Sequence, residues 1–361
     1  MMFIRGVLVY SCAKCKKTHA RKPQKSHNTN IINIMAESSC YYIPEMLKSV
    51  TYCERLYNFM WFVFSLGALF FWSGSDLFSK LGCADSRDKY SHLKMVFAVG
   101  LVMGIHAAVS IISGAAAVTA EVFVRYLPVS LLYILSMTIG YLGLRYIELS
   151  VSSPVCNSSG AIVAVLALCT ASGAEDIPSY ALFAVALVCI GVIALGITEA
   201  NEDEALREAR QAEGSYKYTK SALAIALPLI YCLLDALGTF ADARVLEILD
   251  EEAANTAYEL TFFLAGLVCL IILLVKKQAF TVKEEAPKYA GALFETAGQF
   301  CYVYALADSA HVAFSAPIIS AYCVLSAVWA RLFLKEKLSR KHYVSIVVVV
   351  AGIVMLGMAD L

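Results

Sequence analysis

Apolar residues gather along this chain in long unbroken runs, not in stripes or alternating positions. A helix needs about 20 such residues to cross a bilayer core about 30 Å thick. Ten runs meet that length: 60–80, 93–113, 126–147, 153–172, 179–198, 220–241, 254–275, 288–307, 312–334 and 342–359. Inside lipid the backbone must satisfy its own hydrogen bonds, which leaves helices or a closed barrel. Barrel strands alternate apolar and polar over about ten residues, and these runs do not. The pattern predicts an all-α polytopic membrane protein with ten transmembrane helices. Most connections are short, so successive helices run antiparallel.

One hydrophilic stretch, residues 199–220, is longer than the other connections and falls five spans from either end. It divides the chain into a basic N-terminal tail (1–55), a first five-helix repeat (56–198), a charged linker (199–220) and a second five-helix repeat (221–361). A shift of 161 places Tyr141 on Tyr302, Ser159 on Ser320, Val163 on Val324, Glu175 on Glu336, Val188 on Val349, Gly191 on Gly352 and Gly196 on Gly357. A shift of 159 places Asp76 of span 1 on Asp235 of span 6. Five is odd, so the second repeat enters the membrane upside down relative to the first. Inverted repeats of this kind put a binding site at their interface near the midplane.

Composition agrees. The chain is 60% hydrophobic and 16% charged, with mean hydropathy +0.68, against about 45–50% and about 25% in soluble domains. Formal net charge is zero, and no nucleic-acid-binding signature is present. Cysteines such as Cys156, Cys189, Cys232 and Cys323 fall within apolar runs and serve as small apolar residues. The first 55 residues are read as a disordered basic tail, without the cleavage site of a signal peptide. Translation from Met35 or Met46 is the alternative. Cys12, Cys15, His19 and His27 in the tail do not match a zinc spacing.

Two local patterns are familiar. Span 1 ends Phe71-Trp72-Ser73-Gly74-Ser75-Asp76-Leu77-Phe78-Ser79-Lys80. The last two spans carry Ser315-Ala316-Pro317, Leu334-Lys335-Glu336-Lys337-Leu338-Ser339 and Ala351-Gly352-Ile353-Val354-Met355-Leu356-Gly357. Over residues 60–359 the chain resembles the EamA-type branch of the drug/metabolite transporter superfamily. In that family each half ends in a proline-containing helix, a Gly-Glu-like connection and a glycine-rich helix. Ala174-Glu175-Asp176 departs from the usual connection. The resemblance implies a carrier of small metabolites, amino acids or drugs, with a central cavity between the halves.

Basic loop residues fall after odd-numbered spans, from Lys80 to Lys341; loops after even-numbered spans carry Arg125 and Arg244. The positive-inside rule then puts the odd loops in the cytoplasm and both termini outside. The basic tail and the family resemblance argue for the reverse. The tail's charges lie mostly far from span 1, which favours the loop tally.

Ionisable groups at a helix centre cost about 2.5–3.5 kcal/mol on insertion scales, so they face a cavity or a partner. The candidates are Glu295, Asp235 and His106. Glu295, Gln299 and Tyr302 share one helix face, as a cavity wall would; Glu295 suits a cationic or amino group or a coupling proton, or a structural pairing. Asp235 has Tyr231 and Thr239 one turn to either side. His106 suits a proton relay or, more simply, an interhelical hydrogen bond. Trp72, Tyr141 and Asn157 complete the candidate set. Asp76 and Lys80 read as a surface ion pair at i,i+4. Glu175 and Glu336, at span ends, read as local caps.

No Walker loop, GxSxG, HExxH or dinucleotide fingerprint is present, and no cofactor or metal is implied. The expected function is secondary transport of a small organic solute across the cell membrane by alternating access. The expected partners are that solute, the lipid bilayer and a coupling proton or ion, and a homodimer is compatible with the pattern. The alternatives are an intramembrane enzyme and a non-transporting receptor or assembly subunit.

Overall fold

The computed structural model describes residues 59–83, 88–144, 149–170, 178–200, 222–335 and 338–358. The basic tail, nearly all of the 199–220 linker, the Ala174-Glu175-Asp176 connection and Glu336 lie outside the described residues. Everything regular among the described residues is helical. In chain order the helices are α1 (Met60–Cys83), α2 (Ser91–Ile112), α3 (Ala120–Gly143), α4 (Leu149–Asn157), α5 (Ser159–Thr170), α6 (Ser179–Ala200), α7 (Ala222–Leu246), α8 (Glu251–Val275), α9 (Val282–Leu306), α10 (Val312–Ser320), α11 (Tyr322–Phe333) and α12 (Arg340–Gly357).

Seven described segments are long and apolar enough to cross a membrane: 60–83, 91–112, 120–143, 152–170, 226–246, 251–275 and 312–333. The other three predicted runs are also helical. One is the shorter apolar stretch Ser179–Leu195. The others are α9, with Glu284, Glu285 and Lys288 in its first turns, and α12, which opens on Arg340 and Lys341. Leu233, Leu237, Ile271, Leu274 and Val347 each stand more than half exposed. Such an apolar exterior needs lipid around it.

Runs 153–172 and 312–334 are each broken. Pro154 and Pro317 sit inside α4 and α10, and the breaks follow four residues later, at Ser158 and Ala321. Proline has no N–H to give the ladder and crowds the carbonyl a turn back. Local bonds cover the gaps: Ser158 N–H donates to Pro154 O at 3.1 Å, and Ala321 N–H to Pro317 O at 3.0 Å. The breaks meet, because a Cβ on Gly160 would overlap the Ser320 side chain and lie 2.9 Å from Ala316 O.

The most extensive packing joins the two halves of the chain. Helix α1 packs on α9, α2 on α8, α3 on α7, α6 on α12, α5 on α10 and α4 on α11. Glycines let these backbones approach. A Cβ on Gly100 would lie 2.6 Å from Phe262 O, and one on Gly266 would lie 3.2 Å from Gly100 Cα. In the α6–α12 pair, a Cβ on Gly191 would press on Val349 and lie 3.2 Å from Ser345 O. One on Gly352 would press on Val188 and lie 2.9 Å from Ala184 O.

Polar groups tie the bundle away from its centre. Lys94 Nζ meets Asp88 at 2.9 Å, Glu285 at 3.0 Å and the Ala279 carbonyl at 2.8 Å; Glu285 also meets Lys288 at 3.0 Å. His106 Nδ1 lies 2.8 Å from both carboxylate oxygens of Glu259, which is fully buried and accepts from Asn255 at 3.1 Å. Removing one partner of a buried charged pair costs more than trimming an exposed group, because the other is left uncompensated. His106→Ala strands the fully buried Glu259 but removes a side chain itself 38% exposed, so it should cost about 1–3 kcal/mol, and Glu259→Gln, which keeps an acceptor for His106, should cost less. Thermal unfolding in detergent compares them; equal losses would remove the pair from the list of supports.

Candidate functional site

Between the halves lies a cavity with about 70 Å³ open to the centres of water-sized molecules. One water needs roughly 10–15 Å³ by that measure, so the space takes several. Its walls come from both broken spans and from α1, α3, α7, α8 and α9.

Two aspartates hold the broken span α4–α5 on either side of its break. Ser153, before the break, donates to Asp76 Oδ2 at 2.5 Å, and Ser159, after it, donates to Asp235 Oδ2 at 2.7 Å. Ser326 of α11 adds a second donor to Asp76 Oδ2 at 2.7 Å. Asn157, the last residue of α4, donates to Ser153 O at 2.8 Å and Ser153 Oγ at 3.3 Å. Short serines can reach the acids because the helix break brings two turns of span 4 toward different neighbours. Asp76 is thus not in a surface ion pair with Lys80. Its carboxyl lines the cavity, while Lys80 is fully buried and donates to Leu144 O at 2.7 Å.

Glu295, 8% exposed, enters the cavity from α9, with the Ser75 hydroxyl and the Trp72 indole beside it. Gln299 and Tyr302 follow on the same face of α9, as their spacing predicts. Aromatic rings wall the rest. Trp72 lies 4.8 Å from Tyr302 and 5.9 Å from Tyr322, centroid to centroid, and Tyr133 stands edge-on to Tyr258 at 5.9 Å. Tyr133 and Tyr302 share a hydrogen bond. Several buried polar atoms of the wall have no hydrogen-bond partner among the described residues: Ser79 Oγ, Tyr141 OH and Gln299 Nε2. Buried polar atoms of native proteins are normally partnered, and an orphan in a cavity points to something that enters it.

Of the residues singled out from sequence, the cavity gathers Trp72, Tyr141, Asn157, Asp235, Glu295, Gln299 and Tyr302. His106 is not among its lining residues; the Glu259 carboxylate holds it elsewhere. Sequence reasoning passed over Asp242, which is fully buried and accepts from Tyr126 at 2.7 Å and Tyr133 at 3.4 Å. Its signal was available: Asp235, Thr239 and Asp242 fall at i, i+4 and i+7, one face of a helix. The predicted run stopped at 241, but α7 continues to Leu246. Tyr133, Ser153 and Ser326 carried no signal of their own, since isolated hydroxyls in apolar helices are common packing residues.

No curated protein matches the chain in sequence. One solved structure, described only as the crystal structure of a protein, aligns with it at a TM-score of 0.56 and 12% identity, over 82% of this chain and 95% of that one. That likeness bears on the fold alone. The profile of the EamA-like transporter family matches residues 223–358, which run from α7 through α12. Over those residues the chain is similar to the EamA-like transporter family.

Proposed function

We propose that this protein is a ten-span secondary transporter, built of two five-span halves inserted in opposite senses, that carries a small organic solute by alternating access. It resides in the cell membrane. The carrying observation is that the helix pairs between the halves are those an exchange of halves preserves, and that the pairs enclose a polar cavity. Exchange sends spans 1 to 5 onto spans 6 to 10. It maps the pairs α2–α8, α6–α12 and the two broken spans onto themselves, and swaps α1–α9 with α3–α7.

Atomic contacts support the same reading. At the shift of 161, Gly191 beside Val349 and the Ser345 carbonyl becomes Gly352 beside Val188 and the Ala184 carbonyl. Trp72 and Tyr231 each stand four residues before an aspartate, and each covers a glycine of the other half, Gly298 and Gly140. A site between two such halves opens to one side or the other as they rock.

Reconstituted vesicles test this. Solutes that raise the unfolding temperature of the purified chain are loaded inside, and entry of the labelled solute is followed. Exchange well above protein-free vesicles is expected. Flux equal to protein-free vesicles for every stabilising solute would overturn the reading.

A further inference from the structure

Among the described residues, the cavity is lined by three carboxyl groups and by no lysine, arginine or histidine. Asp76, Asp235 and Glu295 line it from α1, α7 and α9, and no basic residue is among its lining residues. Lys80, next to the lining residue Ser79, is turned to the Leu144 carbonyl instead. Glu295 lies within the electrostatic reach of both aspartates. Acids sharing a low-dielectric enclosure repel one another when ionised, and a cation among them relieves that repulsion.

Two further features point to a ligand. The serine donors approach each aspartate at Oδ2, so an incoming N–H meets Oδ1. The orphaned Tyr141 hydroxyl, 6% exposed, stands in the same wall and can accept from an N–H. Around the acids lie the faces and edges of Trp72, Tyr231, Tyr302 and Tyr322. Aromatic faces attract cations and cover an apolar body. The space takes roughly five to seven waters, which suits one small molecule.

We propose that the solute is a small organic monoamine in its protonated form, its ammonium held among Asp76, Asp235 and Glu295 and its apolar body laid on the aromatic wall. This rests on the transporter reading, yet the test below needs only equilibrium binding, so the two can fail separately.

The purified full chain in detergent is titrated by calorimetry with monoamines from ethylamine to tyramine. Each is set beside its neutral alcohol; for tyramine these controls are tyrosol and the anionic 3-(4-hydroxyphenyl)propionate. Amines of this class are charged at pH 7. The best amine should bind at least about tenfold more tightly than its alcohol. In Asp76→Asn, Asp235→Asn and Glu295→Gln, each checked for a wild-type unfolding temperature, that preference should shrink. The comparison on the unmodified chain stands even if a variant misfolds. An alcohol or the carboxylate binding as tightly as the matching amine would overturn the proposal, as would a series in which no amine binds. Selective amine binding without vesicle exchange would leave this inference standing and sink the transport reading. Exchange of a neutral or anionic solute would do the reverse.

Discussion

Glu295→Gln is expected to cut solute exchange in vesicles by at least about tenfold while leaving the fold in place. The two side chains are nearly isosteric, so the packing of Glu295 beside Trp72 and Ser75 can survive the change. What disappears is an ionisable carboxyl in an enclosure where charge is strongly felt. A carboxyl is costly to bury at that depth, and this one has no basic partner among the described residues of the wall. Glu259 is a natural control. It is equally an intramembrane acid, but it is matched to His106 and lies outside the cavity, so Glu259→Gln should leave exchange close to wild type. Initial rates of counterflow, normalised to protein that elutes as a single folded species, make the comparison. Wild-type exchange by Glu295→Gln would remove that carboxyl from the transport cycle.

Gly100→Leu should prevent assembly, and Gly100→Ala should already destabilise. Alanine gains roughly 0.5–1 kcal/mol over glycine in a helix. Against that stands a Cβ 2.6 Å from Phe262 O and 3.1 Å from Gly266 Cα. Both are backbone atoms, so no rotamer change relieves the contact and α2 must move away from α8. Overpacking of this kind costs about 1–3 kcal/mol, which outweighs the propensity gain. Leucine adds four carbons to a seam that lacks space for one. Gly143 provides the opposite case: its added Cβ would meet only Leu227 Cβ, at 3.7 Å, an ordinary contact. Gly143→Ala should therefore be neutral or slightly stabilising. Unfolding temperatures in detergent rank the variants, and a Gly100→Ala protein as stable as Gly143→Ala would mean that the seam is looser than described.

The sequence was most legible where lipid imposes the rule. Long apolar runs must be helices, and each of the ten predicted runs is helical or a helix broken in two. Glu295, Gln299 and Tyr302 were found for the same reason, because polar residues on one face of an apolar helix have few places to go. Asp242 was missed because hydropathy falls before a helix ends: α7 keeps its hydrogen bonds past Ala241, and the acid there is buried by Tyr126 and Tyr133 of α3. Asp76 was misread for a related reason. Its neighbour at i+4 is Lys80, and local spacing offers a pair. The partners it takes are Ser153 and Ser326, 77 and 250 residues away, and no window of sequence brings those together. Pro154 and Pro317 marked the weak points of two spans, but not that Ser158 and Ala321 would be the breaks.

The way the halves interlock also bears on how the protein is made. Helices α1, α2, α3 and α6 find their principal neighbours in α9, α8, α7 and α12, far downstream in the chain, and pairings between distant segments form late. A nascent chain that has made only helices α1 to α6 has therefore built little of its final interior. The notches at Gly100, Gly160 and Gly191 have none of their final partners until the later helices leave the ribosome. The last of them, α12, closes the notch at Gly191, so truncation near the C-terminus should be felt in the first half of the molecule.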